Sequence, residues 1–108
     1  MLCCLLFTLC SIAFAADERI SYTTTEGDTI NAVYVAAPPG APKPSPAVVL
    51  LHGCGGLFTS SGKIKARETA WRDILHNEGW ALLLPDSFGS RGYGSLCQTK
   101  IRPVKPER

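Results

Sequence analysis

No part of this sequence concentrates charge of one sign. Its 11 Lys and Arg and 9 Asp and Glu leave a formal net charge of +2 over 108 residues. The carriers are dispersed apart from a modestly basic end. No basic stripe interleaved with aromatics occurs, so nucleic-acid binding has no support. No apolar run reaches the length of about 18 residues or more that a membrane span needs. No internal repeat is present. Histidine is scarce, with only His52 and His76, and with Cys54 and Cys97 they make a widely spaced and weak zinc set. A phosphate loop is excluded as well. Five residues stand between Gly56 and Gly62 where four are needed, and Ile64 occupies the place of the magnesium-binding Ser or Thr. No metal and no cofactor are expected.

What is present begins with Leu2–Ala15, almost wholly apolar and uncharged. It ends in Ala13-Phe14-Ala15 and is followed at once by Asp17, Glu18 and Arg19. This reads as a secretory signal over residues 1–15, although its start carries no Lys or Arg. Residues 16–108 then form the mature chain, secreted or periplasmic, with no stable membrane insertion after cleavage. Cys3, Cys4 and Cys10 leave with the signal, so Cys54 and Cys97 remain, an even count in an oxidising compartment. A hydrophobic content of 45% is that of a folded chain, not a disordered one. The length suits one small domain or a piece of a larger one.

Ile20–Thr25 and Thr29–Ala36 are rich in Thr, Tyr, Val and Ile and flank Glu26-Gly27-Asp28. They predict a β-hairpin at a sheet edge. Ala37–Pro46 holds five of the 8 prolines and predicts an exposed connector. Ala47–Leu51 is an unbroken apolar run, which predicts a strand buried on both faces in a parallel sheet. It stops at His52-Gly53-Cys54-Gly55-Gly56, where glycines permit a tight turn and close approach by another group. Lys63–Asn77 has helical spacing, with Ile64, Trp71, Ile74, Leu75 and Glu78 near one face and Lys65, Arg67, Glu68, Arg72 and Asp73 largely elsewhere. Ser60 or Ser61 is placed to cap its start, and Gly79 to follow its end. Trp80–Leu84 predicts a second buried strand, which closes a βαβ unit. Ser87–Gly94, SFGSRGYG, is a glycine-rich loop.

A hairpin, a strand ending in Leu51-His52-Gly53-Cys54-Gly55-Gly56, a helix, and a strand ending in Pro85-Asp86-Ser87-Phe88-Gly89-Ser90-Arg91-Gly92 resemble the N-terminal portion of the dienelactone hydrolase family. These enzymes are α/β-hydrolases. The resemblance implies the incomplete N-terminal fragment of an α/β-hydrolase sheet, a β-hairpin plus a βαβ unit, over residues 16–108. It implies an ester or lactone hydrolase acting through an acyl-enzyme on a small-molecule substrate. Cys54 matches the position whose main-chain N–H enters the oxyanion hole, with Gly53 shaping the turn. His52 matches a structural histidine. Asp86 is not the position of the family's acid, and Arg91 either holds its loop or steers an anionic substrate. The family's nucleophile sits in a G-x-C/S-x-G elbow, followed later by Asp and His. No such elbow occurs here, so nucleophile, acid and base are absent and the chain alone is expected to be inactive.

For Cys54 the sequence leaves three states open: a disulfide with Cys97, a free thiol, or a nucleophile. The disulfide is the preferred reading, because both loops leave the carboxyl ends of neighbouring parallel strands. If the family's strand order holds, the second buried strand inserts between the hairpin and Ala47–Leu51. The other side of Ala47–Leu51 is then a bare apolar edge, open to self-association. The alternative function is a non-enzymatic exported α/β domain that binds a partner through that edge.

Overall fold

Glu26-Gly27-Asp28 reverses the chain between two segments whose β-branched and aromatic residues favour extended backbone. In the computed structural model, which describes residues 16–101 and 103–104, these segments are β1 (Glu18–Thr23) and β2 (Thr29–Val35). Gly27 adopts φ +92°, and the Thr24 N–H and carbonyl bond to Asp28 and Gly27 across the turn. The expected leader, residues 1–15, lies outside the described residues. The proline-rich connector leads to β3 (Ala47–Val49). Then follow α1 (Ala66–Asn77), β4 (Ala81–Pro85) and a short 3-10 turn over Gly89–Arg91.

The four strands form one mixed sheet in the order β1-β2-β4-β3. β1 pairs antiparallel with β2 and β2 antiparallel with β4, whereas β3 and β4 run parallel. The chain is therefore a small mixed α/β domain, and its second apolar strand does insert between the hairpin and the first. β4, with neighbours on both sides, is the most buried strand. Pairing of Val33 with Leu84 and of Val35 with Leu82 puts these four side chains on one face. There they pack with Leu57 as the core, against partly buried Leu50, Phe58, Ile64 and Leu75. Each fully buried Val or Leu contributes about 1.5–3 kcal/mol.

Two expectations need correction. Ala47–Leu51 is not buried on both faces. The strand covers only Ala47–Val49, although the Leu50 N–H still bonds the Leu83 carbonyl at 2.9 Å. Val49 and Leu51 are 59% and 68% exposed. The cause is position: β3 is the outermost strand, so its apolar run has a partner on one side only.

The helix is also shorter and turned relative to the expectation. It begins at Ala66, with Lys65 as its N-cap and no side-chain cap. Ser60 and Ser61 belong instead to a tight turn in which the Thr59 N–H bonds the Lys63 carbonyl at 2.8 Å and the Gly62 N–H bonds the Thr59 carbonyl at 2.9 Å. Trp71 and Ile74 face solvent, and Glu68 is the buried residue of the helix. This rotation packs Leu75 against the core. Arg72 reaches Asp17, just before β1, at 2.6 Å, and Arg67 holds Glu68. Gly79 does follow the helix end, at φ +92°, with its N–H on the His76 carbonyl.

Candidate functional site

β3 and β4 run parallel, so both of their carboxyl ends open on the same side, where open α/β sheets place their ligand crevices. Leu57, fully buried, anchors the far end of the turn that follows β3. The turn closes through a Gly56 N–H to Gly53 carbonyl bond of 3.1 Å, with Gly56 at φ +80°. Gly53 and Gly55 lack a Cβ for a different reason. A Cβ on Gly53 would run into the Arg67 guanidinium, and one on Gly55 into the Lys65 ammonium. Both cations come from the start of α1 and lie against the turn. The Lys65 ammonium donates to the Gly55 carbonyl. Arg67 donates through Nε and Nη2 to Glu68 Oε1, at 3.1 and 2.6 Å.

The facing wall is the loop after β4. The Asp86 N–H bonds the Asn31 carbonyl at 2.8 Å, and the buried Asp86 carboxylate accepts the Gly89 N–H at 3.0 Å. The carboxylate lies so close to Gly89 that a Cβ there would overlap it. Arg91 donates through Nη1 to the Ser87 carbonyl at 3.0 Å and through Nε to Asp28 Oδ2 at 2.6 Å. It thereby fastens the loop to the β1–β2 turn. The Asn31 N–H bonds Ser90 Oγ at 2.8 Å and adds a second tie to β2.

His52 joins the two walls. Its Nε2 accepts the Ser87 N–H at 3.1 Å, and its Nδ1 lies 2.8 Å from the Gly53 carbonyl. Ser87 N–H can only donate and the Gly53 carbonyl can only accept, so the neutral imidazole with its proton on Nδ1 satisfies both. Phe88 packs edge-on to the ring at 4.7 Å. With both nitrogens engaged, His52 has no free position from which to act as a general base. His76, from α1, reaches the Ala36 carbonyl through Nε2 at 3.1 Å. Among the described residues no histidine is hydrogen-bonded to a carboxylate, and no three His, Cys, Asp or Glu side chains converge as a metal site would need. Nor is any helix among them long and apolar enough to cross a membrane.

Cys54 and Cys97 are joined as a disulfide, with Cα atoms 4.9 Å apart across a sequence separation of 43. The Leu96 N–H bonds the Cys54 carbonyl at 2.8 Å. No described residue accepts a hydrogen bond from the Cys54 main-chain N–H. Between the walls lies an open cleft of about 450 Å³, lined by Gly55, Gly56, Lys65, Asp86, Tyr93 and Ser95 among others. Of the two cations at the turn, Lys65 lines this cleft, opposite the Asp86 carboxylate, whereas Arg67 lies against Gly53.

Sequence reasoning places the turn and the glycine-rich loop side by side, as the structure does. It misses Lys65, Arg67 and Glu68, which it assigns to the solvent face of the helix. The signal that could have found them is two cations within the first residues after a glycine-rich turn, followed at once by a carboxylate. No protein-family model matches this chain, and no curated protein or solved structure matches it.

Proposed function

We propose that this chain carries the oxyanion half of an acyl-transfer pocket, in a dienelactone-hydrolase-like ester or lactone hydrolase exported from the cytoplasm. The observation that supports this most directly is the Cys54 N–H. It sits on a glycine turn at the end of one parallel strand, which His52 ties to the DSFGSRG loop at the end of the next, with Lys65 and Arg67 beside the turn. A donor in that position stabilises a developing oxyanion by about 3 kcal/mol. Gly53 admits Arg67 to the turn. Arg91 holds its loop through Asp28 and Ser87, and a role in steering an anionic substrate would need it to release one of these. Nucleophile, acid and base are not among the 108 residues. The disulfide accords with an oxidising compartment.

Two measurements test this reading. The chain by itself is expected to hydrolyse p-nitrophenyl acetate no faster than buffer. An aryl phosphonate monoester, an anionic mimic of the tetrahedral intermediate, is expected to shift the Cys54 and Gly55 amide resonances saturably. Arg67→Gln weakens that binding by about fivefold, the scale of one exposed charge contact. If those two amides do not move, the reading is overturned.

A second reading has its own support in the 59% and 68% exposure of Val49 and Leu51. In it, β3 is a recognition edge of a non-enzymatic exported domain, and a partner strand or a second copy pairs with it.

A further inference from the structure

The segment after the 3-10 turn forms one rim of the cleft, through Tyr93, Gly94 and Ser95. From Tyr93 to Lys100 it has no helix or strand, and nearly all of it is exposed. Beyond Tyr93, whose N–H bonds the Phe88 carbonyl, its hydrogen bonds run inward, from Cys97 N–H to Ser95 Oγ and from Thr99 N–H to the Leu96 carbonyl. Among the described residues, its covalent and hydrogen-bonded ties to the body of the domain both end on Cys54: the disulfide, and the Leu96 N–H to Cys54 carbonyl bond. The base of the same wall is held separately, by His52 on Ser87 and Phe88 and by Arg91 on Asp28. Both cysteines are solvent-exposed.

We infer that the Cys54–Cys97 disulfide is a redox latch on the cleft rim, opened by an external dithiol without unfolding the sheet. One thiolate of the dithiol attacks Cys54 Sγ. The S–S bond breaks, a mixed disulfide forms on Cys54, and Cys97 departs as a thiolate. The second thiol of the reagent then displaces Cys54 and closes the reagent's own disulfide. Two electrons and two protons pass to the protein, which is left with two thiols. The Lys65 ammonium and Cys97 Sγ both lie within 4.0 Å of where a Gly55 Cβ would stand. A neighbouring cation stabilises the departing thiolate, and an exposed disulfide is the kind that exchanges readily. Loss of the latch leaves the single Leu96 N–H to Cys54 carbonyl bond to hold the rim, which then opens readily, while the base stays pinned. An oxidising compartment keeps the cleft rimmed, and a reducing one opens it. This goes beyond the acyl-transfer reading and does not depend on it, because the readout is loop protection and not ester turnover or anion binding.

The test is amide hydrogen exchange on the wild-type chain, oxidised and after reduction by dithiothreitol, with thiols counted to confirm two per chain. Leu96 and Thr99, hydrogen-bonded amides of the rim segment, are expected to exchange about tenfold faster or more after reduction, while those of β2 and β4 stay within about twofold. Unchanged exchange over that segment overturns the latch. Loss of protection in β2 and β4 also overturns it, since the bond would then be a staple for the whole fold. Lys65→Gln is expected to slow reduction by about threefold, and an unchanged rate refutes Cys97 as the leaving group.

Discussion

Glu68 and Asp86 are the charged side chains that the described residues bury, and they meet burial differently. Asp86 caps its own loop through the Gly89 N–H. Glu68 depends on a neighbouring cation. Burial pushes its carboxyl up, but hydrogen bonds from Arg67 and its own backbone and the charge of Arg67 outweigh that and hold its pKa below the ordinary glutamate value. A depressed folded-state value means that the stabilisation is fully present above the unfolded value of about 4.3. It is lost as pH falls through the folded value. Urea midpoints of the wild-type chain are therefore expected to drop between pH 5 and 3 by more than those of Glu68→Gln, each about the ordinary range for carboxylate titration. Parallel pH profiles for the two proteins would show that Glu68 gains nothing from Arg67. The same ion pair sets Arg67 against Gly53, so this residue-scale contact also shapes the turn after β3.

At the scale of elements, α1 is the one whose orientation its own sequence does not determine. Ile64, Trp71, Ile74 and Leu75 suggest an apolar stripe, yet Ile64 precedes the helix and Trp71 and Ile74 are each 52% exposed. Leu75 alone of the helix's large apolar residues packs against the core. Leu75→Ala is expected to cost about 2 kcal/mol or more in urea denaturation, and Trp71→Ala less than about 1 kcal/mol. The reverse order would put the helix back on its apparent apolar stripe. The contrast shows what the chain makes legible. The strands follow from local signals: β-branched alternation in β1 and β2, a proline-rich break, and apolar runs that stop at glycine or proline. Their order does not, and is to be expected only from the family resemblance. The turn after β3 and the loop after β4 are legible from the same local signals, and the parallel pairing of their strands brings them together. The helix rotation puts Leu75 on the core and brings Arg72 to Asp17 across 55 residues, a contact with no periodicity to announce it. The cations at the turn are hidden likewise, since their fit depends on the missing Cβ atoms of Gly53 and Gly55.

At the scale of the molecule, the described residues close one side of the sheet and leave the other less covered. The registers put Val49, Leu83 and Tyr34 on the face opposite the core, joined by Leu51 past the end of β3. Of these, Val49 and Leu51 are the most exposed. They belong to the strand whose outer N–H and C=O groups have no neighbour among the described strands. β1, the opposite edge, carries Glu18 and Arg19, charges of the kind that discourage edge pairing. β3 carries none: its apolar run extends from Ala47 to Leu51 without a polar residue. The two edges thus differ in what they invite, and association is expected through β3. Sedimentation of the chain should show weight-average mass rising with concentration, and Val49→Lys with Leu51→Lys should weaken that association by about tenfold or more. Both positions are already exposed, so the double variant is expected to keep the oxidised fold, and its amide exchange in β2 and β4 provides the control. A chain that stays monomeric at all concentrations, or one whose association ignores the two lysines, would remove β3 as the recognition edge and leave the glycine-turn cleft as the one surface with a proposed role.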